Sequence, residues 1–308
     1  MKALVTGGAG FIGSHLVERL VDDGHHVDVI DDLSTGSLAN LAVVRAGRTK
    51  RLTIHQVDVR DPGLADLMER RQPEVVFHLA SHDDGAGSID RAVADAETNV
   101  VGSLNVFEGA RRAGSRKVVF ASTGILLYQA PTASDLPVRE KHPHLPLTPH
   151  GVAKKAAIDY LVAYREMHAV EFTALVLANV YGPRQRTGVT AAFVEQLLAA
   201  EPCTVDGDGT QTRDFIFVND VVEAFVRAGE RGSGLVVNIG TGTETSVNEL
   251  HARLCAVAGR SVPTVKRPTR SGDLARFALD PGRARIHLGW APWTSLEDGL
   301  HQVLERVD

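Results

Sequence analysis

A glycine-rich turn between a strand and a helix is the feature of this sequence that most restricts its fold. The apolar residues 3–5 predict a short strand, and residues 6–13 follow as Thr-Gly-Gly-Ala-Gly-Phe-Ile-Gly. Residues 14–23 then carry apolar side chains at helical spacing, and residues 27–30 predict the next strand. A strand, a glycine turn, a helix and a second strand are the opening unit of a doubly wound α/β fold.

The glycine spacing and the acid that follows it predict the ligand of this turn. Glycines let the backbone turn tightly and approach a pyrophosphate, whose charge is stabilised at the N-terminus of the following helix. Asp31 stands 18 residues after Gly13, at the end of the second predicted strand. An acid at that place hydrogen-bonds the ribose hydroxyls of an adenosine and repels a 2′-phosphate. The sequence therefore predicts NAD rather than NADP.

Apolar strands alternate with helices over the first half of the chain. After the opening unit we predict strands at residues 52–59, 75–79, 118–121 and 173–177, and helices at residues 64–70, 92–113 and 152–167. This alternation predicts a Rossmann-type α/β fold, in which a doubly wound parallel sheet is covered by helices on both faces. Beyond residue 179 the elements become shorter, with strands predicted at 215–218 and 235–239 and helices at 220–229 and 247–258.

The chain is predicted to divide into two units, because 308 residues exceed the usual length of one domain. Residues 1–178 are expected to form the NAD-binding Rossmann domain, with segments near 215–240 that return to its sheet. Residues 179–308 are expected to form mainly a smaller α+β lobe that binds the substrate.

Charge and cysteine content exclude several classes of function. Lys and Arg number 33 against 38 Asp and Glu, and a net charge of −5 does not suit a nucleic-acid-binding protein, which usually carries a basic excess. Cys203 and Cys255 lack the spacing of a metal site and favour free thiols in a reducing compartment. No apolar run approaches the roughly 18 residues of a membrane span, and we expect no signal segment. The sequence therefore predicts a cytoplasmic protein without a metal.

Further motifs lie along nearly the whole chain. Residues 177–185 read Leu-Ala-Asn-Val-Tyr-Gly-Pro-Arg-Gln, residues 207–214 read Gly-Asp-Gly-Thr-Gln-Thr-Arg-Asp, and residues 270–273 read Arg-Ser-Gly-Asp. With the opening turn, they resemble the extended short-chain dehydrogenase/reductases, whose members include nucleotide-sugar epimerases and dehydratases. The segments around 177–185 and 207–220 look most like the UDP-glucose 4-epimerase type within that family.

The resemblance implies where NAD would lie. Residues 31–36 resemble the segment that surrounds the adenosine ribose, residues 58–59 stand where the family contacts adenine, and residues 79–81 stand where it lines the cofactor. The implied cofactor-binding residues are Gly7, Gly10, Phe11, Ile12, Gly13, Asp31, Asp32, Ser34, Gly36, Asp58, Val59, Leu79, Ala80, Ser81, Asn99 and Lys154.

The same resemblance implies a nucleotide-sugar substrate, expected to be a UDP-sugar. Asn179 and Arg213 match positions that hold the nucleotide diphosphate. In the segment 270–273, Arg270 would bind phosphate and Asp273 would meet the ribose. The residue types agree with this assignment, because a diphosphate is best bound by the fork-shaped donors of guanidinium groups.

The catalytic assignment contains the main departure from the family. The family uses a Ser or Thr together with Tyr-x-x-x-Lys, in which tyrosine and lysine share one helix face. This sequence has Thr123 and Lys154 at the matching positions, but it has His150 in place of the tyrosine. The implied catalytic residues are therefore Thr123, His150 and Lys154. Neutral imidazole, with an ordinary pKa of about 6.5, is already a base at pH 7.

Alternatives to a catalytic His150 stay open. An imidazole reaches roughly 2 Å less far than a phenol hydroxyl, so a bridging water or a shifted sugar would have to close the gap. Otherwise position 150 has lost its chemistry, and the protein binds a nucleotide sugar with NAD but without turnover. Tyr128 is a third candidate for the base. The run His82-Asp83-Asp84, which follows a predicted strand, is either a solvated loop or a group near the ligand.

The expected activity is NAD-dependent 4-epimerisation of a nucleotide sugar through transient oxidation of C4. Alternatives that use the same 4-keto intermediate are C5 epimerisation, decarboxylation and dehydration. Dehydratases of the family follow the threonine with Asp-Glu, whereas Gly124 and Ile125 follow it here, so 4,6-dehydration by that route is not expected. The resemblance also implies a homodimer that pairs through helices 92–113 and 152–167, although their apolar residues could equally serve the core of one chain.

Overall fold

Parallel strands dominate the structure, a computed structural model that describes residues 1–47, 49–81, 89–269 and 274–305. In chain order the strands are β1 (Lys2–Thr6), β2 (His26–Asp31), β3 (Leu52–Gln56), β4 (Val75–His78), β5 (Lys117–Thr123), β6 (Glu171–Leu177), β7 (Asn179–Tyr181), β8 (Cys203–Asp206), β9 (Thr212–Arg213), β10 (Phe215–Phe217), β11 (Leu235–Ile239), β12 (Thr245–Ser246) and β13 (Thr264–Arg267). Seven of them form one parallel sheet in the order β11-β6-β5-β4-β1-β2-β3.

Helices connect these strands. They are α1 (Phe11–Asp22), α2 (Ala42–Gly47), α3 (Leu64–Arg71), α4 (Ala92–Ala96), α5 (Ser103–Arg112), α6 (Gly124–Leu127), α7 (Pro149–His168), α8 (Val189–Leu198), α9 (Val218–Ala228), α10 (Val247–Val257), α11 (Gly282–His287) and α12 (Leu296–Glu305). A π-helical segment, Glu97–Gly102, joins α4 to α5, and short 3-10 turns occur at Leu38–Leu41, Thr49–Arg51 and Ala133–Asp135.

Two apolar clusters lie on opposite faces of the seven-stranded sheet. Successive side chains of a strand point to opposite faces. Accordingly, Val5 packs in one cluster with Leu16 of α1, and Leu4 packs in the other cluster with Phe107 of α5. Both faces are thus covered by helices, and the predicted Rossmann-type, doubly wound parallel sheet is confirmed.

The strand order creates a crevice at one edge of the sheet. The chain proceeds outward from β1 to β2 and β3 on one side, whereas β4, β5 and β6 follow on the other side. Ligands of such sheets bind outside the carboxyl ends of the strands at the point where the order reverses. The glycine turn after β1, residues 79–81 after β4 and Thr123 at the end of β5 all lie along that edge.

The main differences from the predicted elements are the following. β3 ends at Gln56 rather than at Val59, because the chain turns where the Asp61 nitrogen donates to the Asp58 carbonyl. The helix predicted over residues 92–113 is interrupted by the π segment. Of the two strands near 215–240, β11 joins the large sheet beside β6, whereas β10 pairs with β7 in a separate two-stranded sheet. The division into two units at residue 178 stays a prediction.

Several surface and side-chain properties bear on the sequence-based expectations. Among the described residues, no helix has the length and apolar character that crossing a bilayer requires. In the same part of the chain, His, Cys, Asp and Glu side chains do not gather in groups of three or more that would suit a metal ion. Cys203 and Cys255 are both buried free thiols.

Candidate active site

The turn after β1 brings backbone atoms too close together for side chains. Gly7 has a φ of 68°, and a Cβ on it would lie 2.8 Å from the Ala80 nitrogen. A Cβ on Gly13 would lie 2.1 Å from the Gly7 oxygen, and one on Gly10 would lie 3.2 Å from it. α1 begins directly after this turn, so its first backbone N–H groups lie at the carboxyl end of β1. This arrangement fits a pyrophosphate.

Asp31, at the end of β2, is fixed by the backbone of the same turn. Its carboxylate accepts a hydrogen bond from the Ala9 nitrogen at 2.8 Å and another from the Leu33 nitrogen at 2.9 Å. Gly36 lies so close that a Cβ on it would be 2.7 Å from Asp31 Oδ1. Burial raises the pKa of this carboxyl, and the two backbone hydrogen bonds oppose that shift. The side chain is thereby held beside the glycine turn, as binding of a ribose requires.

The other polar residues of the predicted adenosine site make local contacts. Asp32 is exposed and accepts hydrogen bonds from the backbone nitrogen of Ser34 at 2.9 Å and from its hydroxyl at 2.7 Å. Asp58 forms an ion pair with Arg60, with 2.5 Å between Oδ2 and Nη2. These contacts order the loops that follow β2 and β3, on the side of the crevice where Asp31 lies.

Apolar side chains complete the predicted cofactor site. Phe11 and Ile12 form the first turn of α1 and are half-buried, and Val59 is buried. Leu79 and Ala80 directly follow β4 and are also half-buried. A glycine cradle, a ribose-binding carboxylate and an apolar wall are what a dinucleotide needs, so the residues present fit NAD.

α7 begins so that His150 and Lys154 stand in its first two turns. Thr148 caps the helix by accepting a hydrogen bond from the Gly151 nitrogen at 3.2 Å, and Pro149 occupies the first helical position. A Cβ on Gly151 would lie 2.1 Å from the Leu126 oxygen, so this end of α7 packs tightly against α6. His150 and Lys154 are four residues apart and share one buried face of the helix.

Lys154 contacts the end of β5. Its Nζ donates to the Ala121 carbonyl at 3.2 Å and lies 5.0 Å from the centroid of the Phe120 ring. Thr123 is the last residue of the same strand and is half-buried. The structure therefore places all three residues predicted to be catalytic where β5, α6 and α7 meet.

His150 is paired with a carboxylate that sequence reasoning did not single out. Its Nδ1 lies 3.0 Å from Oδ1 of Asp95, which belongs to α4. Exposed fractions are 4% for His150 and 3% for Asp95. The two residues are 55 positions apart in the chain, and no sequence motif joins them. The available signal was the spacing from Asp95 to Asn99, four residues that place both on one helix face.

Asn99 and Ser81, both predicted to contact the cofactor, connect to this pair. The Ser81 hydroxyl donates to Asn99 Oδ1 at 2.8 Å, and Asn99 Nδ2 donates to Asp95 Oδ1 at 2.9 Å. Asn99 Nδ2 also lies 3.4 Å from His150 Nδ1. Asn99 stands in the π segment, an irregularity that is frequent at functional sites. A chain of polar contacts thus runs from the end of β4 to His150.

Tyr128, the alternative base, is engaged elsewhere. It is 3% exposed, and its hydroxyl donates to Asn238 Oδ1 at 2.7 Å. Burial raises the pKa of Tyr128 well above its ordinary value of 10.0. The hydroxyl of Tyr128 is thus engaged in a contact within the core, and the choice between Tyr128 and His150 as the base stays a prediction. The other group considered, His82-Asp83-Asp84, lies outside the described residues.

The predicted substrate-binding residues are described only in part. Arg213 is 7% exposed, and its Nη1 donates to the carbonyls of Thr212 at 2.7 Å and Leu274 at 2.8 Å. Asn179 is half-buried at the start of β7. Arg270 and Asp273 lie outside the described residues. The assignment of the whole set to a nucleotide sugar stays a prediction, as do the individual roles of the cofactor and catalytic residues.

Asp214, next to Arg213, is a buried carboxylate with a structural explanation. It accepts hydrogen bonds from the Thr241 hydroxyl at 2.6 Å and from the Leu279 nitrogen at 3.1 Å, and burial raises its pKa. These bonds tie β9 to the segments after β11 and before α11. Asp214 thereby fixes the backbone that carries Arg213.

Comparison with known proteins finds a matching family model and relatives along nearly the whole chain. A model of the NAD dependent epimerase/dehydratase family matches residues 3–240. The chain is 44% identical, over 310 aligned residues, to the UDP-glucose 4-epimerase of Mycolicibacterium smegmatis, and the match covers 99% of this chain and 98% of that one.

Solved structures give the same result. The UDP-glucose 4-epimerase of Thermotoga maritima with UDP-glucose superimposes with a TM-score of 0.93 at 38% identity, covering 100% of this chain and 98% of that one. The Thermus thermophilus UDP-glucose 4-epimerase in complex with NAD superimposes with a TM-score of 0.91 at 34% identity, covering 99% and 98%.

Proposed function

The chain belongs to the NAD dependent epimerase/dehydratase family, and from that premise we propose that it is an NAD-dependent UDP-sugar 4-epimerase. Its similarity to UDP-glucose 4-epimerases over nearly the whole length supports this activity. The observation that carries the proposal is the pair of buried side chains on one face of α7, His150 and Lys154, beside the carboxyl end of β5.

NAD is the cofactor of this reaction. Gly7, Gly10 and Gly13 would admit its pyrophosphate to the N-terminus of α1, and Asp31 would bind the adenosine ribose. Asp31 also favours NAD over NADP, since a 2′-phosphate would place like charges together. The cofactor supplies the acceptor, and later the donor, of the hydrogen that C4 of the sugar loses and regains.

His150 would perform the proton transfer. As C4 is oxidised, the imidazole would take the proton of the 4-hydroxyl, and it would return that proton when C4 is reduced. Thr123, at the end of β5, would hydrogen-bond the same hydroxyl and orient it. Lys154 would hold the nicotinamide ribose. These roles keep the family's division of work and change only the chemical nature of the base.

The residues proposed to bind the substrate belong to the smaller lobe that is predicted over residues 179–308. Asn179 and Arg213 would contact the diphosphate, and Arg270 and Asp273 would complete the phosphate and ribose contacts. Support comes from the buried position of Arg213 and from the hydrogen bonds that orient its guanidinium. A guanidinium held in this way loses little side-chain entropy when it binds phosphate.

We also propose a homodimer of cytoplasmic location. Residues 92–113 and 152–167 expose several large apolar side chains to water. They include Val93, Val101, Val152, Val162 and Met167. Pairing of two copies through these helices would remove such side chains from water. Light scattering would give about twice 33.0 kDa if the proposal is right and about 33.0 kDa if it is wrong. The cytoplasmic location rests on the two free cysteines.

The activity is tested by incubating the purified protein with UDP-glucose and UDP-galactose and measuring both sugars at equilibrium, together with NADH absorbance. Interconversion of the two sugars is the expected result. Parallel incubations with UDP-glucuronate and with the N-acetyl sugars separate the alternatives, because decarboxylation releases carbon dioxide and 4-epimerisation does not. UDP binding by calorimetry without any product would identify a silent binding protein and reject the proposed activity.

A further inference from the structure

We propose that Asp95 is a positioning residue for His150, which holds the proton on Nδ1 so that the lone pair of Nε2 serves as the base. The inference rests on the proposed function, in which His150 exchanges a proton with the sugar. It adds a residue outside the motif that carries Thr123, His150 and Lys154. Asp95 touches neither the sugar nor the cofactor in this role and acts only through the imidazole.

The contact itself is short and buried. Asp95 Oδ1 lies 3.0 Å from His150 Nδ1, and both side chains are at least nine-tenths buried. A carboxylate accepts hydrogen bonds but does not donate them, so the Nδ1 atom facing it must carry the hydrogen. A neutral imidazole with its hydrogen on Nδ1 presents a lone pair on Nε2. The pairing therefore selects the tautomer that a general base requires.

The polar chain behind Asp95 fixes the direction of these bonds. Ser81 is a donor to Asn99 Oδ1, which leaves the amide nitrogen of Asn99 to face Asp95. Asp95 Oδ1 thus receives one hydrogen from Asn99, at 2.9 Å, and one from His150. Hydrogen on Nδ1 of His150 gives the shorter of the ring's two contacts, at 3.0 Å to Asp95 Oδ1 against 3.4 Å to Asn99 Nδ2, a donor and an acceptor.

Two neighbouring helical segments supply the side chains that meet His150. Asp95 lies in the last turn of α4 and Asn99 lies in the π segment, and both side chains reach the same ring on α7. Asp95 Oδ2 is buried and has no hydrogen-bond partner among the described residues. Leaving a buried carboxylate oxygen without a partner costs free energy, and a purely structural contact does not explain that cost.

Charge explains why an imidazole base needs this partner. A tyrosine that gives up its proton becomes an anion, which a neighbouring lysine stabilises. His150 becomes a cation when it takes a proton, and the buried ammonium of Lys154, one helical turn away, opposes a second positive charge. The carboxylate of Asp95 offsets that repulsion. The exchange of tyrosine for histidine at position 150 therefore shifts the required support from a cation to an anion.

The test compares Asp95→Asn with Glu97→Gln in the intact protein loaded with NAD. Asparagine has nearly the same shape but carries no negative charge, so it cannot offset the charge of a protonated ring, and its amide nitrogen competes with its oxygen for the place beside Nδ1. We expect kcat to fall by about a hundredfold or more, with KM for the UDP-sugar and the calorimetric Kd for UDP within about twofold. Glu97 is an exposed carboxylate in the adjoining turn, and its variant controls for loss of one charge.

A spectroscopic readout keeps the inference independent of turnover. The ¹⁵N shifts of the His150 ring, assigned by their loss in His150→Asn, report which nitrogen carries the hydrogen. We expect hydrogen on Nδ1 in the wild type and a smaller share of that tautomer in Asp95→Asn. A wild-type ring with its hydrogen on Nε2 overturns the inference even if Asp95→Asn does not fold, and so does an Asp95→Asn variant with unchanged kcat.

Failure of the proposed function has a different signature. A wild-type protein that converts no UDP-sugar rejects the proposed epimerase, whatever the ring shifts show. A wild-type protein that turns over, together with an Asp95→Asn variant equal to it in kcat and in ring shifts, rejects the role of Asp95 alone. Loss of turnover in both Asp95→Asn and Glu97→Gln also rejects that role, because the effect would then follow from charge on this helix rather than from the contact with His150.

Discussion

Two buried histidines lie next to the π segment, and they differ in the partners of their rings. His78, at the end of β4, lies between two hydroxyls: Thr6 Oγ1 is 2.7 Å from Nδ1, and Ser103 Oγ is 2.9 Å from Nε2. His150 instead has a carboxylate, Asp95 Oδ1, 3.0 Å from Nδ1. Both rings are almost completely buried, so burial does not distinguish them.

The comparison shows that the partner decides what a buried imidazole can do. Burial, together with the charge of Lys154, lowers the pKa of His78 to about 3, so this ring stays neutral at physiological pH. Hydroxyl partners satisfy both of its nitrogens and fix β4 against the start of α5. A carboxylate partner can stabilise the cation that forms during proton transfer. We therefore expect a structural role for His78, whereas the chemical role of His150 stays a proposal.

Replacing His150 should have the largest effect, and this effect should be a loss of turnover. In His150→Asn the side-chain amide can still donate to Asp95 from nearly the position of Nδ1, whereas the atom that corresponds to Nε2 is lost. We expect kcat to fall by about a thousandfold, which is typical of removing a general base. Calorimetry should show NAD and UDP binding within about threefold of wild type.

The reverse substitution sharpens this prediction. His150→Tyr rebuilds the Tyr-x-x-x-Lys pair with Lys154. A protein tuned for imidazole gains nothing from the longer phenol, whereas a silent relative would acquire epimerase activity. Wild-type turnover that survives in His150→Asn would contradict the assignment of the base and direct attention to His82, outside the described residues.

The contrast between the two histidines marks the limit of sequence reasoning. The glycine turn, Asp31 and the spacing from His150 to Lys154 were predictable, because each depends on neighbours within one strand–turn–helix unit or one helical turn. The seven-stranded sheet followed from the alternation of apolar runs. The sheet and the family are confirmed by the structure and by the comparisons, whereas the roles of the site residues stay predictions.

The partners of the histidines were not predictable, because they come from distant parts of the chain. Asp95 is 55 positions from His150, and Thr6 is 72 positions from His78. Pattern and spacing carry no information on such pairs until the sheet is assembled. The π segment was missed for a related reason, since a helical period of 3.6 residues does not reveal one inserted residue. β10 was expected in the large sheet and pairs with β7 instead.

Acid should destabilise the protein through His78. Because its pKa is about 3 in the folded protein and 6.5 in the unfolded chain, protons bind the unfolded chain more tightly. The free energy of unfolding therefore falls as the pH drops below 6.5 and keeps falling until about pH 3. Between pH 6.5 and 4.5 the contribution of this one group changes by about 2.3 kcal/mol. Urea denaturation at a series of pH values measures it.

His78→Gln is the matched control for the acid effect. Glutamine does not titrate, and its amide can still donate to Ser103 from the place of Nε2. The stability of the variant should fall less than that of the wild type over the same pH range, so the two curves should converge towards pH 4.5. Parallel curves would show that His78 does not titrate as proposed and would contradict the low pKa of this ring.

The same substitution should cost a smaller amount at neutral pH. His78→Gln loses the acceptor for the Thr6 hydroxyl and the ring contacts with Phe107 and Phe120, whose centroids are 5.9 and 5.5 Å away. We expect the free energy of unfolding at pH 7 to drop by about 2 kcal/mol. Turnover should change by less than about tenfold. A variant of normal stability that has lost turnover would place His78 in the chemistry and break the contrast with His150.

Tyr128→Phe should have the smallest effect. It should lower the free energy of unfolding and leave turnover nearly unchanged. The hydroxyl of Tyr128 donates to Asn238 Oδ1 within the core, and Asn238 Nδ2 in turn donates to the Val138 carbonyl at 2.9 Å. Removing the hydroxyl leaves one acceptor of Asn238 without its donor, which costs about 1 kcal/mol.

Because the raised pKa of Tyr128 and its bond to Asn238 keep the phenol protonated, kcat should stay within about threefold of wild type. Urea denaturation and the epimerase assay, performed on one preparation, measure both quantities. A hundredfold loss of kcat in Tyr128→Phe, with His150→Asn still active, would exchange the roles of the two residues and leave the contact between Asp95 and His150 as a structural one.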